Sequence, residues 1–130
     1  MKHTPAENID WAPAPVDNFT GDVWFGSLSH ASPEALNALA VLFSPGARTD
    51  WHTHAEGQVL YCVSGAGLVQ NDGGDKVTMS PGDTVYSPPG ERHWHGATPQ
   101  SHLVHLSLTT GAPTEWFPEK VTDAEYSSGG

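Results

Sequence analysis

The stretch DWHTHAEGQVLYCVSG, residues 50–65, places two histidines two apart and a glutamine four residues after the second. Side chains alternate across a strand, so His52 and His54 share one face, with Asp50 at the same parity and Trp51 and Thr53 opposite. In a small closed barrel one strand face is the interior. Two imidazoles buried there without partners would cost on the order of 1–3 kcal/mol per group. A metal ion satisfies both at once. After the AEG turn, Gln58 is expected to return on the neighbouring strand with its amide oxygen aimed at the same point.

A second cluster, GDTVYSPPGERHWHG (82–96), supplies more donors. The rigid PPG turn follows one strand, and His93 and His95 alternate on the next. The two clusters together resemble the paired motifs of the cupins. The first motif, G-x5-H-x-H-x3-E-x6-G, is matched by Gly46, His52, His54, Gln58 and Gly65, with glutamine where glutamate is usual. The second, G-x5-P-x-G-x2-H-x3-N, is matched by Gly82, Pro88, Gly90, His93 and Ala97, with alanine where asparagine is usual. Every interval is kept, which makes the signal far more specific than a lone H-x-H. The resemblance implies an all-β chain folded as a single-domain cupin, a small double-stranded β-helix or jelly-roll-like barrel.

Gln58 sets the expected chemistry. Three neutral imidazoles and an amide leave a divalent ion its full charge, which favours binding of an alkoxide and lowers the pKa of a bound hydroxyl. Imidazole ligands alone do not select one metal. His95 shares the parity of His93 and is either a general base beside the cation or a residue that orients the ligands. His105 lies on one face of the last strand with Leu103 and Ser107, and His102 is expected to face outward. Thr49 and Thr109 could supply hydroxyl donors; Leu39, Val41 and Phe43 alternate as an apolar wall or as core. Cys62 reads as a packed thiol.

FTGDVW, FSPGARTDWHTHAEGQ, SPPGERHWHGA and VTDAEY narrow the resemblance to small bacterial cupins that include the manganese-dependent hydroxynitrile lyases. That similarity implies one divalent metal per chain, held by His52, His54, Gln58 and His93. Manganese is the expected ion, with iron, zinc and nickel as alternatives. It also implies cleavage or formation of cyanohydrins, with His95 as base and His105 and Thr49 holding the cyanide. The implied partners are a small-molecule substrate and further copies of the chain, as a dimer or a dimer of dimers. Other classes stay open: an iron-dependent dioxygenase, a non-catalytic metal- or ligand-binding module, and a sugar or keto-acid isomerase using Arg48 or Arg92.

Around these motifs, short apolar runs alternate with turns rich in the 14 glycines and 11 prolines. Strands are predicted over 22–28, 37–44, 58–64, 67–72, 76–80, 83–87, 92–97 and 101–110, with a helical start at Ser32–Pro33. The expected organisation is an extended N-terminal arm (1–20), a barrel (21–112) and a C-terminal tail (113–130) that packs Trp116 and Phe117 onto it. The 130 residues suit one domain. A single cysteine and no apolar run suited to a leader or a membrane span give a soluble, cytoplasmic expectation. Five scattered basic residues against fifteen acidic ones make nucleic acid an unsuitable partner.

Overall fold

The computed structural model describes residues 1–28, 35–111 and 113–128. The expected helical start at Ser32–Pro33 and His30 lie outside these. Thirteen short strands and one helix run in the order β1 (Trp11–Pro13), β2 (Phe19–Thr20), β3 (Val23–Ser27), β4 (Asn37–Phe43), β5 (Arg48–Thr49) and β6 (His52–Thr53). There follow β7 (Gln58–Gly65), β8 (Gly67–Asn71), β9 (Lys76–Met79), β10 (Thr84–Ser87), β11 (His93–Ala97), β12 (Leu103–Thr109), β13 (Glu115–Trp116) and α1 (Asp123–Ser127). One sheet has the order β1-β3-β4-β12-β7-β10; the other runs β13-β6-β11-β5-β2, with β8 and β9 added beside β11. All the pairings are antiparallel. The two sheets face each other as a barrel.

Alternation explains which side chains enter. Along β12, Leu103, His105 and Ser107 are buried while Val104, Leu106 and Leu108 are partly exposed. Its inward partners on β4 are apolar for three steps: Phe43 opposite Leu103, Val41 opposite His105 and Leu39 opposite Ser107. The main core joins Phe19, Val23, Val41, Phe43, Leu60, Cys62, Val69, Met79 and Leu103.

Every residue of β11 is buried, on both faces. His93 and His95 point inward. Trp94 points outward and packs with Trp51, Val121 and Tyr126, so the C-terminal segment roofs the strand. α1 starts in a reciprocal cap, Thr122 accepting from the Glu125 N–H and the Glu125 carboxylate accepting from the Thr122 N–H.

Three expectations are corrected. Strand parity does not run through Asp50: the ladder breaks between β5 and β6, so Thr49 and His52 line the same cavity. The Asp50 carboxylate turns instead to Lys120 Nζ, 2.9 Å away. Gln58 does not return beside β6, because β7 belongs to the facing sheet. Arg48, for which the sequence suggested a surface salt bridge, is buried, donates twice to the Val121 carbonyl, pairs with Asp123 and stacks on Tyr126.

Candidate metal centre

β6 and β11 lie side by side with His52 opposite His93, so their side chains project together from one sheet. Gln58 and His105 come from β7 and β12 of the other sheet, and all converge in the barrel. His52 and His93 each donate Nδ1–H to a backbone carbonyl two residues earlier, Asp50 and Glu91, both at 2.9 Å. Those bonds fix the neutral tautomer and leave each Nε2 as a lone pair facing inward.

Gln58 donates its amide N–H to Ser107 Oγ at 2.8 Å, which turns Oε1 toward His93 Nε2 at 3.0 Å. Two acceptor atoms at hydrogen-bond distance have no proton to share. A cation between them removes the conflict, since adjacent octahedral ligands at about 2.1 Å from an ion lie roughly 3 Å apart. Burial above all, opposed by the Glu91 carbonyl, lowers the His93 pKa, so a second ring proton does not resolve the clash.

Among the described residues, His52, His93 and His95 offer ligand nitrogens all within 4.8 Å of one another. His54 lies outside that triplet, though its ring centroid is 5.0 Å from that of His52 and 5.6 Å from that of His93. Its Nδ1 is 3.4 Å from Thr114 Oγ1, and its Nε2 is buried without a hydrogen-bond partner among the described residues. Burial, then the neighbouring His93, lowers the His54 pKa to about 4. His52 is held well below its ordinary value, by burial first and then by His93. All these rings are neutral at pH 7 and able to ligate. A divalent ion fits this donor set.

His95 Nδ1 and His105 Nε2 are 2.9 Å apart and share one proton. With that proton on His95, its Nε2 is a bare lone pair, and this buried atom has no partner among the described residues. Burial, then His105, depresses the His95 pKa strongly; burial brings His105 to about 4. Thr49 lies behind the pair: its hydroxyl donates to the Asp50 carbonyl at 2.8 Å and accepts the His95 N–H at 3.2 Å. The hydroxyl thus ties β5 to β11, while Thr49 also lines the cavity with His52.

The cavity in front of these groups measures about 320 Å³, the lower end of small-molecule sites. Phe19, Phe25, Leu39, Val41 and Phe43 form an apolar wall, and Trp116 closes another side with its ring centroid 4.7 Å from that of His52. No carboxylate lines the cavity among the described residues, and neither Arg48 nor Arg92 does. Arg92 instead pairs with Asp72 and lies over Trp51.

The cupin-domain family matches residues 39–109, more than half of the chain, and the match spans every histidine of the site. This chain is a cupin. A protein named (R)-mandelonitrile lyase from Granulicella tundricola is 46% identical over 116 residues, covering 86% of this cupin and 88% of that protein. A cupin-like protein from Thermotoga maritima superposes with a TM-score of 0.84 at 38% identity, covering 88% of this cupin and 90% of that chain. The polyketide cyclase RemF from Streptomyces resistomycificus covers 97% of this cupin and 90% of its own chain with a TM-score of 0.78. At 17% identity, that likeness speaks for the fold alone.

The structure gathers His52, His54, Gln58, His93, His95, His105 and Thr49 around one cavity or directly behind it. His102 is exposed, hydrogen-bonded to Ser64, and His3 is exposed as well. Thr109 lines the cavity as well. Sequence reasoning missed Asn37, Thr114 and the place of Trp116 in the lining. The inward register of Asn37, two residues before Leu39 on the same strand, was the available signal.

Proposed function

We propose that the cavity is the active site of a divalent-metal-dependent lyase that cleaves cyanohydrins to an aldehyde and cyanide, and joins them in reverse. The observation that carries the reading is the approach of the Gln58 Oε1 and His93 Nε2 lone pairs at 3.0 Å, in a site with no carboxylate among the described lining residues. The 46% identity to a protein named (R)-mandelonitrile lyase supports it. His52, His54, Gln58 and His93 would hold the ion, with manganese the expected one. Such an ion supplies a Lewis acid that stabilises the alkoxide of the substrate.

The residues of the chain do the rest. His95 Nε2 takes the hydroxyl proton, and the imidazolium that forms keeps its Nδ1–H on His105 Nε2. The carbonyl forms as the bond from the carbinol carbon to the nitrile carbon breaks, and its electron pair leaves with cyanide. The proton on His95 then passes to cyanide, giving hydrogen cyanide and the neutral base. His105 stabilises the charged His95 and borders the departing anion. Thr49 accepts from the backbone N–H of His95 and, lining the cavity, would help hold the departing cyanide. The aromatic wall takes the aldehyde side chain and keeps water away.

Racemic mandelonitrile given to metal-loaded protein should release benzaldehyde at least 100-fold faster than with metal-stripped protein or the His95→Ala variant. Equal rates in the three would overturn the reading.

A further inference from the structure

We infer that the cavity carries a second recognition point, the pair Asn37 and Thr109, which selects substrates bearing a hydroxyl at the far end of the aromatic ring. The inference rests on the lyase reading for the position of the reacting carbon. The inner face of β4 runs Phe43, Val41, Leu39 and then changes character at Asn37. The facing strand places Thr109 opposite Asn37, and both line the cavity. Asn37 Nδ2 donates to Thr109 Oγ1 at 3.3 Å. That bond leaves the Asn37 Oδ1 acceptor and the Thr109 O–H donor for a ligand. A phenolic hydroxyl, which both donates and accepts, matches the two.

The spacing gives the substrate length. Ser107 Oγ accepts directly from the Gln58 amide, so the level of Ser107 and Leu39 is close to that of the ligand oxygen. Thr109 and Asn37 stand one two-residue step further along their strands, roughly 7 Å. A benzene ring with a para oxygen spans about that step from the carbinol carbon. Leu39, Phe19 and Phe25 lie along the cavity wall, where the ring would pack. A small aliphatic cyanohydrin would leave the pair untouched.

Isothermal titration of the full chain with benzaldehyde and with 4-hydroxybenzaldehyde reads the preference without turnover. The hydroxylated aldehyde should bind about 10-fold tighter, the worth of one to two hydrogen bonds. The ratio should fall to near one in both Asn37→Leu and Thr109→Val, and the ratio of kcat/KM for the two matching cyanohydrins should fall in step. Equal binding of the two aldehydes to the unaltered chain, or a preference that survives both substitutions, overturns the inference. Loss of the lyase reading would show separately, as absent turnover of both cyanohydrins whatever the binding ratio.

Discussion

Gln58 is the residue on which the chemistry turns, because its amide offers an oxygen to the site without a charge. Its N–H is spent on Ser107, and that bond decides which end of the amide faces the histidines. Glutamate at this position would keep the oxygen and add a negative charge. Gln58→Glu should therefore retain metal at least as well while slowing cyanohydrin cleavage by 10-fold or more, since a less positive centre stabilises the alkoxide less. Metal content by elemental analysis and kcat on mandelonitrile check the two halves together. A faster variant would show that the charge of the centre does not limit the reaction. At this scale the sequence was highly legible: the intervals among His52, His54, Gln58 and His93 named the gathering residues before any coordinate did. It was less legible for Thr49, whose hydroxyl is claimed by the backbone of a strand 46 residues away.

At the scale of elements, the site depends on the close approach of β5 to β11 at Gly96. A Cβ on Gly96 would sit 2.4 Å from the Ala47 carbonyl oxygen and 2.6 Å from Arg48 Cβ. Backbone cannot give way there as the tip of a side chain would. Gly96→Ala should force β5 from β11, cost about 2–3 kcal/mol in urea denaturation, and reduce turnover through the shifted His95 and Thr49. Gly65, with φ of +81° and a Cβ that would meet the His102 carbonyl oxygen at 1.9 Å, plays the corresponding part at the β7–β8 turn. The predicted strands at 22–28, 37–44, 58–64 and 101–110 match β3, β4, β7 and β12 closely, because regular alternation marks strands that are half buried. The run 50–54 was read with continuous parity, and the structure leaves Asp50 and Trp51 in the break between β5 and β6. Asp50 follows the break, drawn to Lys120, which also binds the Asp17 carbonyl from the N-terminal segment.

The whole molecule buries five imidazoles around one cavity, and their protonation is linked to folding. His54 and His105 have pKa values of about 4, against an ordinary value of 6.5. Between these values the unfolded chain holds protons that the native chain does not, so stability increases with pH across that window and is lost as pH falls through it. Each such ring contributes a slope of up to about 1.4 kcal/mol per pH unit. Metal-free protein should show a urea midpoint that is level above pH 7 and drops steadily from about pH 6.5 toward pH 4; a flat midpoint across that window would mean the rings are not held neutral. Among the described residues no helix is long and apolar enough to cross a membrane. The C-terminal segment completes the fold from outside, with Arg48 and Trp94 both packed beneath it.

The sequence by itself determined the barrel, and it named His52, His54, Gln58 and His93 as candidate donors without a carboxylate among them. Strand alternation and motif spacing are local properties, written into the covalent chain wherever the backbone stays regular. Only the tertiary structure decided that Gln58 reaches the histidines from the opposite sheet, that Asp50 leaves the site, and that Arg48 is buried under the C-terminal segment. It alone set Asn37 against Thr109 and brought Trp116 to His52. These depend on pairings between residues tens of positions apart and on one break in a ladder, where packing across the barrel outweighs the local rhythm of the strand.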